Sequence, residues 1–167
     1  MAIYDRMNPK VSLKGILVME IKIINENKKN FMDLLLLADE QEDMIEKYLD
    51  RGTLFALYDD GLKSICVVTD EGGGSFELQN LATYKQFQCK GYATHLVKYI
   101  FEYYRDKGAA MYVGTGDVPL TVNFYGHCGF IYSYRIENYF LEHYREPMFE
   151  EGIQLKDKVY FRKDLIG

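Results

Sequence analysis

The sequence contains no tryptophan and only three prolines, three histidines and three cysteines in 167 residues. The cysteines, Cys66, Cys89 and Cys128, are odd in number and scattered. They make no disulfide framework and suit a reducing compartment, so a cytoplasmic protein is expected. No Cys-x-x-Cys or His-x-x-x-His spacing occurs, and no metal is expected. No purely apolar run exceeds that of Leu34 to Ala38, whereas a membrane span needs about 20 residues. Positive charge is also scarce: 20 Lys and Arg stand against 25 Asp and Glu, a formal net charge of -5. An acidic chain without a basic stripe is a poor binder of phosphate backbones, so neither nucleic acid nor a membrane is the expected partner.

The sequence does have the composition of a folded domain. Apolar residues make up 48% and charged residues 27%, which excludes disorder and coiled coil. Its length fits one domain of ordinary size. Aromatic side chains are tyrosine and phenylalanine, and the 15 tyrosines suit both a core and a ligand cleft. Residues 1–18 carry Arg6, Lys10 and Lys14 before the short run Ile16-Leu17-Val18, too brief for a secretory signal. From Met19 the chain alternates as a half-buried strand does. We therefore expect an arm or tail at 1–18 and a single domain over 19–167.

Periodicity and turn residues give an order of elements along the chain. Strands are expected at 19–24, 53–58, 62–69, 76–84, 109–114, 130–136 and 158–162. Helices are expected at 31–38, 42–50 and 93–107, with a short one from Pro119 to His127. Asn25, Asn27 and Asn30 are candidate caps of the first helix. Asp59-Asp60-Gly61 reads as a hairpin turn. The Gly72-Gly73-Gly74 triplet reads as a second hairpin, because it lacks the Gly-Lys-Ser/Thr ending of a phosphate loop. This order argues for a mixed α/β sheet of about seven strands with helices on both faces.

The chemistry gathers at Gln88-Cys89-Lys90-Gly91-Tyr92-Ala93-Thr94. Here a strand ends, and a loop with a glycine turns into a helix. Free amides at a helix start, aided by the helix dipole, form an anion site.

The spacing Gln88-x-x-Gly91-x-Ala93 resembles the Q/R-x-x-G-x-G/A signature of the GNAT superfamily of acyl-CoA-dependent N-acetyltransferases. Glu77 to Thr83 is similar to that family's fourth strand. Phe124-Tyr125-Gly126-His127-Cys128-Gly129-Phe130 resembles its F/L-Y-x-x-x-G-F block. The likeness covers about 19–163, and two blocks in this order are more specific than either alone. It implies that amides of Gln88, Cys89, Lys90, Gly91, Tyr92, Ala93 and Thr94 cradle the pyrophosphate of acetyl-CoA. It implies that the backbone of Leu81, Ala82 and Thr83 meets the pantetheine arm as an added strand would. An amide near Leu81 would stabilise the oxyanion. The sequence departs from the pattern at Cys89, where the family has glycine. It departs again at Val118, where the family often has asparagine; Asp117 and Asn123 are the substitutes at hand.

Tyr125 is the candidate acid for the leaving thiolate, and Glu77 the candidate base for the attacking amine. Asp70 and Glu71 are the alternatives to Glu77. The acidic run Asp33, Asp39, Glu40, Glu42, Asp43, Glu46 and Asp50 would either draw a cationic amine or simply form a solvated face. The polar stretch 138–154, with Tyr139, Phe140, Tyr144 and Phe149, would border the acceptor, and His143 reads as a surface histidine. The resemblance thus implies direct transfer of acetyl from acetyl-CoA to an amine acceptor, a small cationic one in the first reading. The alternative is a GNAT-fold acyl-CoA sensor without turnover. A homodimer is compatible with either.

Overall fold

The computed structural model describes residues 19–166; the arm expected at 1–18 lies outside the described residues. In chain order the elements are β1 (Glu20–Ile24), α1 (Met32–Ala38), α2 (Glu42–Leu49), β2 (Thr53–Tyr58), β3 (Leu62–Gly72) and β4 (Ser75–Thr83). There follow α3 (Tyr92–Tyr104), β5 (Ala110–Gly116), α4 (Pro119–His127), β6 (Ile131–Ile136), α5 (Tyr139–His143), β7 (Phe149–Glu150), β8 (Ile153–Gln154) and β9 (Lys158–Asp164).

Seven strands form one mixed sheet in the order β1-β2-β3-β4-β5-β9-β6. Every neighbouring pair is antiparallel except β4 and β5. This is the expected seven-stranded sheet flanked by helices.

The apolar runs in β2 and β3 are continuous because both faces of these strands are covered. Alternate residues point to opposite faces. Phe55, Leu57, Cys66 and Val68 join Leu96, Val97 and Ile100 of α3 on one face. Leu54, Ala56, Ile65 and Val67 join Leu34, Leu35, Ile45 and Leu49 of α1 and α2 on the other. Leu96, Val97 and Ile100 are fully buried. At about 1.5–3 kcal/mol for each such side chain, they fix the start of α3 against the sheet.

The structure departs from the sequence reading mainly between β6 and β9. The expected polar connection contains α5 and a separate hairpin of β7 with β8. Phe140 of α5 and Leu155 bury Val118 in a small third core. Elsewhere the differences are of length: β3 runs on to Gly72, and α3 spans Tyr92–Tyr104 rather than 93–107.

Candidate active site

The site begins where two strands part. β4 and β5 pair from Ser75 with Ala110 to Leu78 with Val113, and no further. Opposite β3, Val67 faces Asn80 while Val68 faces Leu78, so Gln79 is an extra residue in β4. Such a bulge bends and twists the strand that carries it. Beyond it β4 stays with β3, Leu81 facing Cys66 and Thr83 facing Ser64. β5 stays with β9, Gly114 facing Tyr160 and Gly116 facing Lys158. Between them opens a cleft of about 670 Å³. Ala38 and Glu40 line it from the α1 side, Phe124 and Tyr125 from the α4 side, so it passes through the sheet. Leu81, Ala82 and Thr83 line its β4 edge. Ala82 packs into the core under α1, and the Thr83 hydroxyl meets that of Ser64 at 2.8 Å. With those side chains turned away, the strand's backbone edge is left for an extended ligand to pair with.

One end of the cleft is an array of amides. Gln88 Nε2 donates to the Thr83 carbonyl at 3.1 Å and ties the loop back to β4. Gly91 caps α3 with φ +87°, and Cys89 has φ +59°. The earliest bond of the helix is donated by the His95 amide to the Gly91 oxygen, 2.9 Å. The amides before it have no carbonyl within the helix to reach. A Cβ on Gly91 would meet nothing within 4 Å, so this corner is open. The first turn of α3 holds no acidic residue to oppose an anion. Gln88, Cys89, Gly91, Tyr92, Ala93 and Thr94 all line the cleft; Lys90 does not. The arrangement suits a pyrophosphate.

Tyr125 stands farther along, near the end of α4, whose first turn contains Pro119. It lines the cleft at 8% exposure, its ring edge-on to Phe124 and Phe130. Burial pushes its phenol well above the ordinary tyrosine value. The group is therefore protonated at neutral pH, a hydrogen-bond donor rather than a base.

Glu77 does not line this cleft. It lies one residue before Leu78 on β4, on the face turned away from α3. Its Oε1 accepts a hydrogen bond from the Tyr160 hydroxyl at 3.2 Å. Burial raises its pKa, while Lys158 and Tyr160 pull it down. Around it on this face stand Lys158, whose ammonium lies 4.6 Å from the Tyr139 ring centre and 5.1 Å from that of Tyr160. Tyr134 stacks on Tyr160 at 4.7 Å. Asp39, whose pKa burial raises, accepts from the Tyr144 hydroxyl at 2.9 Å.

Comparison with known proteins now decides the family: residues 23–130 match the model of the GNAT acetyltransferase family. The chain belongs to that family. It is 33% identical over 150 residues to the uncharacterized N-acetyltransferase YvbK of Bacillus subtilis, a match over 88% of this chain and 97% of that one. A Bacillus subtilis acetyltransferase solved in complex with CoA superposes with TM-score 0.81 at 31% identity, over 89% of this chain and 99% of that one. A GNAT acetyltransferase from Elizabethkingia anophelis, solved with acetyl-CoA bound, gives 0.82 at 26% identity, over 87% and 97%. Membership makes the protein an acetyl-CoA-dependent N-acetyltransferase.

Among the described residues two carboxylates of this acetyltransferase line the cleft, Glu40 and Glu150, and the sequence singled out neither by itself. Glu40 was one of seven acids in a charged run. Glu150 sits on the β7–β8 hairpin and accepts a hydrogen bond from Thr121. The rest of the acidic run is largely occupied elsewhere. Glu46 pairs with Lys29 at 2.7 Å and Asp43 with Arg145 at 3.5 Å. Asp33 accepts from the Tyr84 hydroxyl at 2.8 Å. The alternatives to Glu77 are also engaged: Glu71 pairs with Arg51 at 2.9 Å, and Asp70 accepts from the Gly72 amide at 2.8 Å. Asp117 pairs with Arg135 at 2.9 Å and Asn123 is exposed; neither lines the cleft. His143 is an exposed histidine stacked on Tyr139. Among the described residues no group of three or more His, Cys, Asp or Glu side chains is placed to hold a metal, and no helix is long and apolar enough to cross a membrane.

Proposed function

We propose that this acetyltransferase moves the acetyl group directly from acetyl-CoA to a small amine that arrives as a cation, with Tyr125 and Glu77 as its catalytic residues. The observation that carries the reading is the opening between β4 and β5, with the amides of α3 at one end and Tyr125 along its wall. The pyrophosphate rests on the amides of the loop 88–94. The pantetheine arm runs along Leu81, Ala82 and Thr83. The Leu81 amide donates to the thioester oxygen, where negative charge develops; one such donor is worth roughly 10²–10³ in rate.

The amine enters from the face that carries Glu77, Asp39 and Glu40. An alkylammonium with pKa near 10.4 is almost wholly protonated at neutral pH, so it must lose a proton before it attacks. Glu77 takes that proton, directly or through water. Nitrogen then bonds to the carbonyl carbon, the carbon–sulfur bond breaks, and the Tyr125 hydroxyl supports the departing thiolate. Asp39, Glu40 and Glu77 give the entrance its attraction for cations. The free cysteines, with Cys89 exposed, suit a reducing compartment, and we assign the protein to the cytoplasm.

The test is release of free thiol from acetyl-CoA across a panel of polyamines, aminoglycoside-like amines, amino acids and lysine peptides. Amine-dependent release with an acetylated product is the expected result. Binding of acetyl-CoA without release for any amine would favour a sensor instead.

A further inference from the structure

One amine is already present on the acceptor face. Lys158 opens β9, the partner of β5, and its side chain turns back across β5 toward the parting of the strands. Its Cε lies only 2.4 Å from where a Gly114 Cβ would stand, so glycine at 114 is what lets the lysine stem cross there. Gly114 itself lines the cleft. The ammonium lies near the rings of Tyr139 and Tyr160, and the Tyr160 hydroxyl donates to Glu77. Among the described residues, Lys158 Nζ makes no hydrogen bond and no ion pair. Its counter-charges, Glu77 and Asp39, act at longer range.

We propose that Lys158 is a resident acceptor: supplied with acetyl-CoA and no competing amine, the enzyme acetylates its own Lys158. This rests on the acetyl-CoA reading above and goes beyond it by naming an acceptor within the chain. Three features favour the reaction. The stem lies against Gly114, which lines the cleft where β4 and β5 separate, although Lys158 itself is outside the lining. Among the described residues the nitrogen has no hydrogen-bond or ion-pair partner to give up, only its contacts with the Tyr139 and Tyr160 rings. Burial lowers its pKa, which enlarges the neutral, nucleophilic fraction, although Glu77 and Asp39 oppose this.

The step balances without any further reagent. The neutral Nζ attacks the thioester carbonyl, a carbon–nitrogen bond forms, and the carbon–sulfur bond breaks with its electron pair on sulfur. The surplus proton on nitrogen passes to Glu77 or water, and the thiolate is protonated to free CoA. The product, an acetamide at Lys158, has no charge. It leaves Glu77 and Asp39 without their cation and adds bulk beside the rings of Tyr139 and Tyr160, so turnover of added amines falls as Lys158 is modified.

The experiment incubates the full chain with isotope-labelled acetyl-CoA and no amine, then maps labelled lysines by peptide mass spectrometry over time. Lys156 and Lys107, both exposed, report uncatalysed acetylation in the same sample. Lys158 should label at least about tenfold faster than either, because its attack is intramolecular. Its rate constant should not change when the protein is diluted. Tyr125→Phe should slow labelling of Lys158 by about tenfold or more while leaving Lys156 unchanged. Labelling of Lys158 no faster than Lys156, or a rate constant that rises with protein concentration, overturns the proposal. A protein that acetylates an added amine but not Lys158 defeats this inference alone. A protein that acetylates neither defeats the transfer reading with it.

Discussion

Gly91→Asp puts a negative charge at the mouth of the amide array. The side chain has room, because nothing lies within 4 Å of the position of its Cβ. Two effects remain. The backbone at φ +87° favours glycine, and an L residue there costs roughly 1 kcal/mol of stability, somewhat less for Asp than for Ala. That shift lowers Tm by a few degrees and leaves the protein folded. The second effect is on binding. A carboxylate about 4 Å from a phosphate charge is repelled by about 1 kcal/mol in water and about 4 kcal/mol at an effective dielectric of 20. Gly91 is exposed, so the lower part of this range applies, and the lost pull on the pyrophosphate adds to it. A loss of at least about 1.4 kcal/mol, tenfold in Kd, is expected. Titration calorimetry with acetyl-CoA measures it, and Gly91→Ala serves as control with a backbone cost at least as large and no charge. The Asp variant should lose at least tenfold, the Ala variant much less, and the gap should narrow as salt rises. Unchanged affinity in a folded Gly91→Asp protein would refute the placement of the pyrophosphate.

Three further outcomes are expected. Tyr125→Phe keeps the packing against Phe124 and Phe130 but removes the hydroxyl; kcat with the best amine should fall by roughly 10²-fold with little change in acetyl-CoA Kd, and wild-type turnover would take Tyr125 out of the mechanism. Glu77 must be ionised to act, and its pKa is raised by burial against the pull of Lys158 and Tyr160 on β9 and Arg51, with Glu71, Tyr134 and Tyr139 also facing it. The kcat/KM profile should therefore fall on the acid side through a pKa above the usual carboxylate range; Glu77→Gln should remove that limb and roughly 10²-fold of rate, while Glu150→Gln should keep the limb. If Glu150→Gln removes it instead, the cleft carboxylate is the base. Finally, kcat/KM for a cationic amine should exceed that for a neutral amine of similar size at low salt, and the ratio should shrink at high salt; a neutral amine preferred at both would leave the acids without a role in selection.

The legible parts of the site were local in sequence. Gln88, Gly91 and Ala93 state a strand-to-helix loop by themselves, because a glycine at a helix start and a tie back to the strand are matters of a few residues. Tyr125 stood out by its block with Gly129 and Phe130, which resembles the family's, and it lines the cleft. The Asp59-Asp60-Gly61 turn also formed as read, with Asp60 at φ +52° and Gly61 at φ +92°. Pairing between distant strands was not legible. The bulge at Gln79 exists only relative to β3, and no feature of Leu78-Gln79-Asn80 marks it. The two-residue strands β7 and β8 are too short to show a period of two, so Glu150 read as part of a polar connection. Asn27 was expected to cap a helix with its side chain. It instead takes φ +55° before a short 3-10 turn and makes no capping bond, and Phe31 stands at the start of α1. Lys158 read as an ordinary strand residue, because only the sheet register lays it across Gly114.

A crystal structure with acetyl-CoA, or with a non-hydrolysable analogue, would show where the co-substrate lies against these residues. The pyrophosphate should lie on the amides between Cys89 and Thr94, the pantetheine along Leu81 to Thr83, the thioester oxygen on the Leu81 amide and the sulfur beside the Tyr125 hydroxyl. Acetyl-CoA bound outside the opening between β4 and β5, or bound within it with Tyr125 out of reach of the sulfur, would contradict this placement.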